Sequence, residues 1–268
     1  MNQVMFHKHT NLNGEYIFKC RNAGVECTEE MVEEINAQID HLCTLKFTDE
    51  ELEYLSSLRF IKSDYVEFLR LWHPLRRYVN CTRNEDGTLN LKVSGPLFSV
   101  MQFEIYLLEI VNEVYFRMKY DYLYLVNSAR EKLMWKIQQF RMENYDFKFA
   151  EFGGRRRLSR EWQDYVVGEL LTLKNCVGTS NVYLAMKYGC TPIGTYAHEY
   201  VQMYQGIPGV QLAYTNKMAM EEWFDEYQGD NGTALTDTLG TDLFLMDFNK
   251  LQSTCYTGVR HDSGDPLE

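Results

Sequence analysis

A chain of 268 residues, 45% hydrophobic and 24% charged, with only 5 prolines and 17 glycines, can bury a core without metal or disulfide staples and is not collagen-like, low-complexity or disordered. Its 27 basic against 38 acidic residues leave a net charge of -11, a field that repels nucleic acid and anionic lipid, so an anionic substrate needs a local basic site. The 7 cysteines are scattered and never spaced C-x-x-C, which points away from a disulfide framework or a zinc site and toward a reducing cytoplasm; no leader-like opening or long apolar run is visible, so no membrane segment is expected.

The first half reads as an α+β unit. Tyr16-Ile17-Phe18-Lys19-Cys20 after Asn13-Gly14 is a strand. Thr28, followed by Glu29 and Glu30, opens a helix whose apolar face is Met31, Ile35, Ile39 and Leu42. Thr48 and Glu51 form a capping box before Leu52 and Leu55, because hydroxyl and carboxylate each satisfy the other's orphan N–H. Asp86-Gly87 is a turn, and Leu89, Leu91 and Val93 alternate with polar residues as in a strand with one solvated face. From about residue 98 to 140 the pattern is helical, and its Tyr and Met residues are assigned to core. His7 and His9 are read as solvated.

From residue 144 the pattern changes to βα units. Strands are expected at 147–152, 175–177, 191–195, 233–235 and 256–259, with helices between them, one capped by Ser159. The division is therefore an N-terminal α+β domain over residues 1–143 and the first part of a βα barrel over 144–268. Five strands fall short of an eight-stranded barrel, so the chain is expected to stop before its fold is complete.

Polar residues collect where these strands end: Gly153-Gly154-Arg155-Arg156-Arg157, Gly178-Thr179-Ser180-Asn181, Gly194-Thr195-Tyr196-Ala197-His198, Thr236-Asp237-Thr238 and Arg260-His261-Asp262-Ser263-Gly264-Asp265. The C-terminal ends of parallel strands form the ligand face, and glycine loops with Arg suit phosphate, so an anionic, phosphorylated substrate is the sharp reading. Each piece has a plainer one. The arginine triplet reads equally as a solvated, salt-bridged cluster, with Arg155 the member best placed for a ligand. His198 is a structural histidine or a nucleophile or acid/base. Asp262 and Asp265 are surface carboxylates, or they meet ribose hydroxyls or a magnesium ion. No metal site built from protein ligands is predicted.

In order, the stretches 152–161, 177–181, 194–199, 234–238 and 258–266 resemble nicotinate phosphoribosyltransferases, and 16–21, 45–48, 94–96 and 104–108 extend the resemblance over nearly the whole chain. The resemblance implies an α/β protein of the type II phosphoribosyltransferase class, with an irregular barrel. It also implies transfer of the ribosyl group of phosphoribosyl pyrophosphate to nicotinate, giving nicotinate mononucleotide and pyrophosphate in NAD salvage. ATP, with Mg, would drive the reaction through a phosphohistidine. By the same resemblance His198 is the phosphorylated residue, Thr195 contacts the nicotinate region and Arg155 holds phosphate. Arg260 binds the nicotinate ring and carboxylate region, with Asp262 and Ser263 beside the ribose.

A homodimer is implied. The family's opening T-D-x-Y-K-x-x-M is met only at Met1, without the Tyr that lies on the ring, and the family continues past D-S-G-D-P. A fragment, a decayed copy or a protein completed by another chain is therefore expected. The alternatives are a nicotinamide or quinolinate phosphoribosyltransferase, and a noncatalytic subunit that needs another chain.

Overall fold

Alternation of Leu89, Leu91 and Val93 with polar neighbours gives a strand one face of which must be covered, and in the computed structural model helices cover it. The structure describes residues 1–22, 24–143 and 145–265; Pro266, Leu267 and Glu268 of the terminal motif lie outside them. The elements up to residue 143 are α1 (Asn2–Lys8), β1 (Asn13–Ile17), α2 (Glu29–Leu42), α3 (Asp49–Ser57), α4 (Ser63–Leu71), β2 (Val79–Arg83), β3 (Leu89–Pro96), α5 (Leu97–Val100), α6 (Phe103–Lys119) and α7 (Tyr122–Glu143). After them come β4 (Phe149–Glu151), α8 (Arg160–Leu170), β5 (Cys176–Thr179), α9 (Val182–Tyr188), β6 (Thr191–Pro192) and α10 (His198–Gln205). The chain continues through α11 (Thr215–Tyr227), β7 (Thr233–Leu235), α12 (Thr241–Asp247), α13 (Lys250–Cys255) and β8 (Gly258–Arg260).

Packing separates two units, one of residues 13–55 and 66–193, the other of 1–12, 56–65 and 194–268. These cross the boundary at residue 143 rather than follow it, because α1 packs with the last third of the chain through partners that no local pattern reveals. In the unit of residues 13–55 and 66–193, β1, β3 and β2 form an antiparallel sheet in that order. Its buried face of Val79, Cys81, Leu89, Leu91 and Val93 meets Met31, Ile35 and Ile39 of α2 and Phe103, Leu107 and Val114 of α6. Thr28 caps α2 by accepting from Met31 N–H, and Thr48 and Glu51 exchange their capping bonds at 2.8 and 3.2 Å. Further along the chain, β4, β5 and β6 make a parallel sheet, with α8 and α9 as its crossovers. The helix α7 departs from the expectation of core: it buries Ile137 but leaves Leu123, Tyr124, Trp135 and Met142 more than half exposed.

The other unit has an aromatic core. Tyr196, Tyr200 and Tyr204, spaced four apart, are fully buried, and Trp223 of α11 meets Tyr196 and Tyr200 at ring distances of 5.0 and 5.3 Å. Their hydroxyls have partners: Tyr200 donates to the Ala219 carbonyl at 3.1 Å and Tyr204 to Glu222 at 2.8 Å. The helix α1 is held here by buried polar contacts. Gln3 donates to Glu226 at 2.7 Å, His7 Nδ1 lies 2.8 Å from Glu226, and His9 Nε2 lies 2.7 Å from Glu222. The two histidines are thus largely enclosed rather than solvated, because carboxylates on α11 supply the polar partners water would otherwise provide. Strands β7 and β8 pair in parallel, Leu235 opposite Arg260.

Candidate active site

Between β6 and α10 the chain runs through Thr195, Tyr196 and Ala197 to His198. Tyr196 is sealed in the aromatic core, and this pins the segment so that Thr195 and His198 on either side face the ends of β7 and β8. At those strand ends Thr236 N–H donates to the Arg260 carbonyl at 3.0 Å, which ties the Thr236-Asp237-Thr238 loop to the loop that follows Arg260. Gly264 turns that second loop with φ of +90°, a left-handed conformation that L side chains rarely adopt.

His198 is the first residue of α10, and both its ring nitrogens are engaged. Nδ1 lies 3.1 Å from the Thr238 hydroxyl, while Nε2 lies 3.3 Å from Asp262 Oδ2 and 3.9 Å from Asp237 Oδ2. Arg260 forks between Asp262, at 3.1 Å, and the Thr195 hydroxyl, to which it donates. Ser263 donates its hydroxyl to Asp237. Burial opposes charge on Asp237, but the Ser263 hydroxyl and His198 outweigh it and hold the carboxyl below its ordinary value. Its Oδ1 is buried without a hydrogen-bond partner among the described residues. The arrangement offers an imidazole backed by two carboxylates, a cation with a partly open fork, and the positive end of a helix dipole under His198, which favours an anionic group there.

Five of the six residues singled out in the sequence, Thr195, His198, Arg260, Asp262 and Ser263, therefore meet in one cluster. Arg155 belongs to the other compact unit. It sits in a one-turn 3-10 helix (Gly154–Arg156) after β4, half-exposed, with its guanidinium 3.2 Å from Glu104. Two members of the cluster, Asp237 and Thr238, had only their motif as a signal, for a carboxylate in a loop acquires a role through what the fold brings to it. No group of three or more His, Cys, Asp or Glu among the described residues is arranged to hold a metal, and all seven cysteines are free thiols. Nor is any helix among them long and apolar enough to cross a membrane.

Residues 147–268 match the model of the nicotinate phosphoribosyltransferase (NAPRTase) family, and residues 1–112 match that of the family's N-terminal domain. A curated nicotinate phosphoribosyltransferase of Herminiimonas arsenicoxydans is 45% identical over 275 residues, covering 99% of this chain and 68% of its own length. One from Ralstonia pickettii is 44% identical over 273 residues and is covered to 69% of its length. The crystal structure of the Porphyromonas gingivalis nicotinate phosphoribosyltransferase superposes with a TM-score of 0.86 at 33% identity, over 99% of this chain and 67% of that one. That of Vibrio cholerae gives 0.88 at 28% identity, over 99% and 64%.

Proposed function

The chain belongs to the nicotinate phosphoribosyltransferase family, and on that premise we propose that it handles nicotinate and phosphoribosyl pyrophosphate in the cytoplasm. The product is nicotinate mononucleotide, a precursor of NAD, and the reaction is coupled to ATP hydrolysis by phosphorylation of His198. The observation that carries the reading is the engagement of both nitrogens of His198 at the N-terminus of α10.

Carboxylates only accept hydrogen bonds, so the Asp262 and Asp237 oxygens assign the ring proton to Nε2, and the lone pair is then on Nδ1, facing the Thr238 hydroxyl. That lone pair attacks the γ-phosphorus of ATP as the bond to the ADP oxygen breaks. The positive charge that develops on the ring is offset at Nε2 by the two carboxylates, and the transferred phosphoryl group gains from the helix dipole. Hydrolysis returns the ring to its neutral form. Phosphorylation changes the charge beside Asp262 and Arg260, which is how ATP would alter the grip of the Arg260 fork on the nicotinate carboxylate. Arg155 is assigned to phosphate, and a homodimer is expected.

Magnesium keeps much of its shell as water and substrate phosphate, so one or two carboxylates suffice, and the unpartnered Oδ1 of Asp237 with Asp262 fits that need. When bound, the ion neutralises phosphate charge.

The test is incubation with γ-labelled ATP, followed by an assay for nicotinate mononucleotide, in this chain and in a version extended to the length of its relatives. Acid-labile, base-stable label in the native protein and none in His198→Asn is expected. Equal labelling of the variant, or product formation in His198→Asn that still consumes ATP in step, would sink the assignment.

A further inference from the structure

The three consecutive arginines after β4 have different surroundings. Arg156 is exposed. Arg157 turns inward: its side chain is 16% exposed, its Nη1 lies 2.9 Å from Glu109 Oε2, and its Nε lies 3.9 Å from Glu113 Oε2. Glu109 and Glu113 are one turn apart on α6 and share a face. The same helix reaches the turn through two backbone groups as well. Asn112 Nδ2 donates to the Arg155 carbonyl at 2.9 Å, and Glu113 accepts from the Arg160 N–H at 3.2 Å. At the other end of the turn Gly153 N–H donates to Glu151 on β4.

The geometry points to Glu109 and Asn112 as positioning residues for Arg155: the buried Glu109–Arg157 pair and the Asn112 bond fix the backbone of 155–157, so that the Arg155 guanidinium is presented for an anion. This rests on the reading of Arg155 as the phosphate-holding arginine. Two features support a clamp rather than incidental pairing. Glu109 is only 6% exposed, and a hydrogen-bonding group left without its partner at such depth is costly whether or not the carboxyl is charged, so the 2.9 Å contact holds one geometry. The contact of Arg155 with Glu104, by contrast, is between half-exposed groups, is worth little, and is readily exchanged for a dianion. Helix α6 thus fixes the peptide while leaving the guanidinium exchangeable.

Sulfate binding to the 268-residue chain, followed by calorimetry beside melting curves, tests this, because sulfate is a dianion with constant charge near neutrality. Arg155→Ala is expected to weaken binding about tenfold, the loss of one charge-assisted contact. The double variant Glu109→Leu/Arg157→Met removes both partners together and leaves neither buried alone, so its melting temperature is expected to stay near the native one. Its sulfate binding is nonetheless expected to fall about tenfold, with the guanidinium still present but unguided. Asn112→Leu, at an outer position, is expected to lose about threefold from one missing hydrogen bond.

A stable double variant that binds sulfate like the native chain overturns the proposal; if that variant does not fold, native-like binding by Asn112→Leu does so. Absence of any effect of Arg155→Ala, or of sulfate binding altogether, removes instead the reading of Arg155 itself.

Discussion

Two carboxylates in this protein titrate in opposite directions. Burial pushes Glu109 up to about 7, against the pull of Arg157 and with some help from Glu113, while Tyr106 also faces it. Since the folded form then holds a proton that the unfolded chain has lost, stability is highest at low pH and declines as pH rises toward about 7. Denaturant unfolding between pH 5 and 8 is expected to show that decline in the native chain and a flatter profile in Glu109→Gln. Asp237, held low by Ser263 and His198, contributes stability that is lost only in acid. Asp237→Asn withdraws a negative charge 3.9 Å from His198 Nε2, and labelling of His198 slowed by about tenfold to hundredfold, the scale of one partly screened charge at that distance, is expected in a phosphorylation time course. At this scale the placing of His198, Arg260 and Asp262 at strand ends was legible from their motifs, and the structure brings the three side chains together. The contact of Asp237 with Ser263 was not legible, because the two are 26 residues apart.

Elements were read best where the determinants are local. The caps at Thr28, Thr48 and Ser159 and the alternation in β3 lie within a few residues of what they control. Ser159 has a second duty that its sequence does not announce: it takes a 2.6 Å hydrogen bond from Tyr122 as well as capping α8. Ser159→Ala is therefore expected to cost about 1–2 kcal/mol, at the upper end for an N-cap, measurable by urea unfolding. Strand β6 is shorter than the expected 191–195, and its contact with β5 explains a glycine within β5. At Gly178 φ is +152°, and an added Cβ would stand 2.1 Å from the Thr191 carbonyl oxygen. Gly178→Ala must force the strands apart, and a loss of about 3 kcal/mol or more in the same assay is expected, against ~1 kcal/mol for an ordinary substitution. Ile35→Ala, in the core beneath the antiparallel sheet, is expected to cost about 2–5 kcal/mol by opening a cavity.

For the whole molecule, the α/β class and the order of the βα units were legible, because hydrophobic period and turn residues repeat at short range. The composition of the compact units was not. One of them gathers residues 1–12 and 56–65 with everything after 193, through bonds such as Gln3 to Glu226 that span 223 residues. His7 and His9 read as solvated for the same reason: the sequence near them contains none of the carboxylates that enclose them. This discontinuity has a consequence for biosynthesis. Gln3 and Glu226 are 223 residues apart, so α1 leaves the exit tunnel many seconds before Glu222 and Glu226 exist, at roughly 5–20 residues per second. During that interval the unit of residues 13–55 and 66–193 acquires all its strands and can condense, while the aromatic core around Trp223 must await α11. Nascent chains of this protein therefore carry an orphan helix that chaperones can hold, and the His198 cluster assembles only after Asp262 has been made.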